Sequence, residues 1–203
     1  MSIQNLEQLK EKNTQKYAEE EVLSDYRYPG GYKVRSIKEQ IKKLQKFFPH
    51  LDYSFEDALL EIPLPKGSEG LFVIPRWEKI SLNYNDAVIQ VLDKIASTRK
   101  FDNHRKGKLG REFLRQSERT IHMKKIIRKQ QEGDILIIPA QFGLLHAGRS
   151  FRRAKEVLEE NEFGLGAFEI GCMLLTHPER FTRFNQIYVY VLGDEYDPDF
   201  SGR

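Results

Sequence analysis

Two short apolar runs constrain this chain more than any other feature. "LFVIP" occupies 71–75 and "DILIIP" occupies 134–139, and both end at a proline. Runs of this length, rich in branched side chains, read as strands buried on both faces. Proline lacks the N–H that a ladder needs, so it marks where each strand stops. "IYVYVL" (187–192) reads as a third strand.

Helical patterns lie between these runs. "SIKEQIKKLQKFFP" opens with a capping box, in which the Ser36 hydroxyl accepts a backbone N–H and Glu39 reaches back. Ile37, Ile41, Leu44 and Phe48 share one face. "YNDAVIQVLDKIAS" (84–97) repeats Ala87, Val88, Val91, Leu92 and Ile95 at helical spacing. Further helices are expected over about 109–130, 150–161 and 166–176. Residues 57–70 read as a short strand or strand-like edge followed by a loop. Strands alternating with helices predict an α/β or α+β fold: a small mixed sheet of about three to five strands packed by helices. Residues 3–23 carry apolar positions in a charged background and predict a long, partly exposed helix. "DYRYPGGYKV" (25–34) then turns at Pro-Gly-Gly. The expected organisation is an N-terminal helical arm and linker over 1–33 and a single α/β domain over 34–203.

The chain has 203 residues, enough for one ordinary domain, and its 13 Phe and 9 Tyr can build a core. The single cysteine, Cys172, sits in "FEIGCMLL" and reads as a buried, inert thiol. There is no run of about 18 apolar residues, and the N-terminus is too charged for a secretory signal. A soluble, cytoplasmic protein is expected. The five histidines, at 50, 104, 122, 146 and 177, are scattered, with no CxxC or HExxH motif. No metal and no cofactor is implied.

The formal net charge is only +3, but the charge is segregated. Between Arg99 and Lys129 there are twelve Lys or Arg against three acids, whereas Asp194 to Asp199 holds four acids and no base. One concentration of cations stands out in "IIPAQFGLLHAGRSFRRAKEV" (137–157). With Ser150 as N-cap, Arg152 and Arg153 fall in the first helical turn and Arg149 just before it. This is the reverse of what the helix dipole prefers. An anion bound by His146, Gly148, Arg149, Arg152 and Arg153 would reverse that penalty. The alternative is internal pairing, Arg152 with Glu156 and Lys155 with Glu159 one turn on, or docking onto the chain's own acidic tail.

On a helix over 109–130, Arg111, Arg115 and Arg119 recur every four residues and form a row, extended by Lys108 and Lys129. Intervals of about 6 Å match the scale of phosphate spacing on a nucleic-acid strand. A solvated helix face and a protein-binding face are the competing readings. If the three apolar strands were parallel, Arg76, Trp77, Gln141, His146, Arg149, Asp194 and Glu195 would gather at one sheet edge. That set could support phosphoester or nucleotide hydrolysis, with His146, Asp194 and Glu195 as catalytic candidates.

The stretch "PAQFGLLHAGRSFRRAKEVLEENEFGLGAFEIGCMLLTHPERF", with "IPRWEKI" and "GDEY", resembles a family of bacterial proteins of uncharacterised activity, of the type found in small-genome candidate phyla. The likeness extends over most of the chain. It implies a bacterial cytoplasmic setting and transfers no functional residue. From the residues themselves, the first expectation is non-catalytic binding of a polyanion, nucleic acid above all. A phosphate-substrate enzyme using His146, Arg149 and Asp194 comes second. A protein-interaction module or self-associating protein, its basic helix paired with an acidic partner or another copy's tail, comes third.

Overall fold

The computed structural model describes residues 16–28, 30–180 and 187–197. Among these residues four strands and five α-helices follow one another in a mixed α/β order: α1 (Ile37–Leu44), β1 (Gly70–Pro75), α2 (Tyr84–Thr98), β2 (Leu114–Gln116), α3 (Glu118–Gln130), β3 (Ile135–Ala140), α4 (Phe151–Glu156), α5 (Ala167–Thr176) and β4 (Asp194–Tyr196). The strands form two antiparallel pairs, β1 with β3 and β2 with β4. The class is the one that the alternating apolar runs predict, divided between two ladders.

The two proline-ended runs are the strands of the first ladder. Gly70 faces Ala140 and Pro75 faces Ile135. Their apolar side chains are buried on both faces, with Phe72, Val73, Ile74, Ile135 and Ile137 at 2% exposure or less. Among the described residues two strands share this sheet, and each has an outer edge without a strand partner. A glutamine closes each edge. Gln40 on α1 accepts from Val73 N (2.9 Å) and donates to the Leu71 carbonyl (2.8 Å). Gln131, just past α3, accepts from Ile137 N (2.8 Å) and donates to the Ile137 carbonyl (2.9 Å). Val73 and Ile137 are opposite one another in the register, so the two amides flank one rung. Both glutamines are buried, and each satisfies peptide groups that would otherwise lose their hydrogen bonds on burial.

Helix α5 lies at the centre. Phe168, Gly171, Cys172, Met173 and Leu175 are buried, against α2, β1 and α1. Gly171 allows the close approach to α2, because a Cβ there would collide with the Val91 side chain. The capping box of α1 is present: Ser36 Oγ accepts from Glu39 N, and Glu39 accepts from Ser36 N at 3.0 Å. Burial raises the Cys172 thiol pKa well above its usual value, in line with an inert core thiol.

Several sequence expectations need correction. Of the helix expected over 3–23, residues 3–15 lie outside the described residues; Ala18–Glu20 is one 3₁₀ turn, and 22–28 has no regular structure. Asp57–Glu61 is a 3₁₀ turn and not a strand. Residues 187–191 have no ladder partner among the described residues, and the third apolar run gives way to a turn before β4. The helix expected over 109–130 begins only at Glu118, because Leu114 is drawn into pairing with Tyr196. Long-range pairing here overrides a locally helical spacing. The arm that precedes α1 reaches across the molecule. Glu21 bridges Arg149, Val22 N donates to the Gly148 carbonyl at 2.9 Å, and Ser150 N donates to the Glu20 carbonyl at 3.0 Å.

Candidate ligand-binding cleft

The antiparallel direction of β1 and β3 decides where the candidate residues lie. Arg76 and Trp77 leave β1 beside the start of β3, where Arg76 N donates to the Asp134 carbonyl. Gln141 leaves β3 beside the start of β1. Five residue steps at ~3.4 Å separate these ends by about 17 Å. The single sheet edge needed to gather a hydrolytic set does not form.

Asp194 belongs to another cluster, which sequence reasoning missed. Tyr84 Oη donates to its carboxylate, 2.9 Å from each oxygen, and Ala167 N donates at 2.7 Å. Beside it Glu169 accepts from Gly166 N at 3.0 Å and pairs with the Lys124 ammonium, both side chains being almost fully buried. Burial, opposed by the Ala167 bond and reinforced by Glu169, pushes the Asp194 carboxyl from 3.8 up to about 7. A Cβ on Gly166 would strike Tyr84 Oη, Asp194 and Glu169 together, so only glycine fits there. Neither Asp194 nor its partners line the cleft that holds His146. Glu195 is exposed and sits opposite Arg115 in the β2–β4 register. The catalytic grouping of His146, Arg149 and Asp194 is therefore not assembled.

The expected anion cradle is present but already paired. Ser150 is the N-cap of α4, its hydroxyl accepting from Arg153 N at 3.1 Å. Arg149 Nε pairs with Glu21 at 2.8 Å, Arg152 pairs with Glu20, and Arg153 pairs with Glu21 (2.9 Å) and Glu156 (3.0 Å). Glu156 thus pairs with Arg153 and not with Arg152. The carboxylates offsetting the unfavourable helix dipole come from the arm, on the order of 130 residues away in sequence, beyond the reach of local spacing rules. Hydrogen bonds from Ser150 to Glu20 and from Arg153 to Glu21 are the leading causes that hold those carboxyls below their usual pKa. Gly148 has a structural reason: its φ is +83°, and a Cβ would collide with the Val22 carbonyl of the arm.

The proposed row of arginines is dispersed by the shortened helix. Lys108 and Arg111 are exposed in the turns before β2, Arg115 is in β2, and Arg119 is in the first turn of α3. Arg119 donates to the Glu162 carbonyl at 2.8 Å and also to that of Glu159.

A cleft of about 760 Å³ opens between the arm, α3, the end of β3 with the loop after it, and residues 187–192. Its walls are mainly apolar, including Ile126, Ile127, Ile138, Leu165 and Ile170. Seven of the thirteen large apolar side chains that are exposed among the described residues line it: Val22, Leu23, Tyr26, Ile126, Leu145, Tyr188 and Tyr190. His146 and Arg149 stand in its wall, and Arg149 donates to His146 Nδ1 at 3.1 Å. Burial, followed by the neighbouring Arg149 charge, lowers the His146 pKa and favours the neutral ring.

Behind one wall lies a second polar network absent from the sequence reading. Tyr28 and Tyr32 both donate to Glu69, which accepts from Phe142 N at 3.1 Å; Leu144 N donates to Tyr28 Oη at 2.8 Å. Fully buried Arg180 lies 4.3 Å from the Tyr28 ring and donates to the Ile187 carbonyl at 2.9 Å. His177, also fully buried, accepts from Arg35 N at 3.0 Å, and burial lowers its pKa to about 4. Together they fix the loop carrying Phe142–Leu144 and the segment at Ile187 that frame the cleft.

Among the described residues, no three His, Cys, Asp or Glu side chains gather as a metal-ligand set, and no helix is long and apolar enough to cross a membrane. No family model, curated protein or solved structure matches the chain.

Proposed function

We propose that this chain binds a small, predominantly apolar molecule in the cleft beside the arm. The observation that carries the reading is the convergence of exposed apolar side chains on one concave space of about 760 Å³. That volume is within the range of small-molecule sites, about 300–1,000 Å³. Exposed apolar surface gathered in one place, and not scattered, marks a surface that is covered in use. The test is titration with the neutral dye N-phenyl-1-naphthylamine. Saturable, blue-shifted emission with one dye per chain is the expected result. Ile126→Glu with Leu145→Glu changes two partly exposed positions and should weaken the dye at least tenfold with an unchanged circular dichroism spectrum. Absence of saturable binding, or equal binding by the folded double variant, refutes the reading.

Polyanion binding is the second reading, and a specific observation favours it. Lys100, Lys106, Lys108 and Arg111 are exposed, and none forms an ion pair among the described residues. Phosphates contacted by such cations release counterions, so affinity falls steeply with salt. Anisotropy of a labelled single-stranded oligonucleotide should show binding near 20 mM salt that weakens strongly by 200 mM. No binding at the lower salt eliminates this reading.

A further inference from the structure

The hydrogen-bond inventory of the cleft narrows its ligand, on the premise that the cleft is a small-molecule site. Guanidinium groups only donate, so the bond from Arg149 makes His146 Nδ1 an acceptor. A neutral ring accepting at Nδ1 carries its proton on Nε2. The nearby Gln141 uses its Oε1 to accept from Gly143 N, which leaves its amide N–H groups to donate. His146 Nε2 and Gln141 Nε2 make no protein hydrogen bond among the described residues, and neither is a buried orphan, so both are accessible. One turn thus presents two donors whose acceptor sides are already occupied. The ionised side chains in the wall cancel formally: Lys66 and Arg149 against Asp25 and Glu162. Arg149 is further matched by Glu21 outside the wall. The cleft therefore offers an acid no surplus positive charge.

We infer that the ligand is uncharged and apolar, and carries a carbonyl-type acceptor oxygen held by the N–H groups of His146 and Gln141. A carbonyl oxygen entering such a site recovers the hydrogen bonds it loses to water, whereas a hydrocarbon leaves both donors unpaired. An acid must in addition give up the hydration of its charge.

The test is competition against N-phenyl-1-naphthylamine by 2-nonanone, nonane and nonanoic acid at pH 7.5. The ketone should displace the dye with at least tenfold higher affinity than the other two. Gln141→Glu keeps the acceptor for Gly143 N and replaces the donor by a carboxylate oxygen. His146→Phe removes the other donor. Each variant, with an unchanged circular dichroism spectrum, should cut the ratio of ketone to nonane affinity measured within that variant to below threefold. Equal affinity for ketone and alkane, or tighter binding of the acid, overturns the inference while the cleft remains a binding site. Ketone preference that survives both variants overturns it too. Failure of the dye itself to bind removes the premise and the inference together.

Discussion

Replacing Asp194 with asparagine should change how stability depends on pH more than it changes stability itself. The Asp194 carboxyl is 5% exposed and shares its surroundings with the buried Lys124–Glu169 pair. With Asp194 protonated the three groups are formally neutral; its ionisation adds an unmatched negative charge in a poorly solvated place. The pKa moves from 3.8 in an ordinary setting to about 7 here. Between those values the folded chain keeps a proton that the unfolded chain has released. Stability from this group is therefore complete below about pH 3.8, falls as pH rises through the window, and levels off above about 7. At about 1.36 kcal/mol per pH unit, the interval amounts to about 4 kcal/mol. The asparagine amide would still accept from Tyr84 and Ala167 through its oxygen but could not ionise. Its extra N–H groups add a constant offset, which cancels when one compares slopes. Urea denaturation of parent and Asp194→Asn at pH 4, 5, 6, 7 and 8 should give a stability difference that shifts by about 4 kcal/mol in favour of the variant from pH 4 to 8. Parallel stability profiles would refute the argument, because they would mean that the carboxyl titrates alike in folded and unfolded chains.

Two further outcomes test the packing and the arm. Cys172 should react with a thiol reagent at least a hundredfold more slowly in the native protein than in 6 M guanidinium chloride, since its thiol is fully buried with a raised pKa; comparable rates would contradict its place in the core. Gly148→Ala should detach the arm, through a φ of +83° and collision with the Val22 carbonyl, and increase limited proteolysis within 16–26 several-fold at near-constant melting temperature; unchanged proteolysis would contradict the close approach.

The legible parts of this fold are those governed by neighbours in sequence. The Ser36–Glu39 capping box, the Ser150 cap, the spacing of Ala87, Val88, Val91 and Ile95, and the two proline-ended strands all depend on residues within a turn or a run. What stayed hidden depends on distant partners. The helical spacing of the apolar Leu109 and Phe113 imitates a helix, and only the arrival of Tyr196 makes Leu114 part of a strand. Strand direction has no local signature, so the parallel arrangement and the catalytic grouping built on it failed together. His146, Gly148 and Arg149 were legible as an unusual corner. Their setting was not: Glu20 and Glu21 neutralise the cations from the far end of the chain, and the apolar wall comes from α3 and the segment at 187–192. The buried charges of Lys124, Glu169 and Arg180 were illegible for the same reason, since the pattern of a charged residue does not reveal what will surround it.

Gln40 and Gln131 do more than complete a hydrogen-bond inventory. A two-stranded ribbon exposes on either side a template that a second molecule could copy, the first step toward fibrillar assembly. Here each side ends in an amide, one residue long and unable to be extended. Propagation is stopped chemically at both borders, in addition to the prolines, Pro75 and Pro139, that each strand already carries. A leucine in either position would preserve the bulk and reopen the border, so that insolubility, more than lost activity, would be the first sign of its arrival.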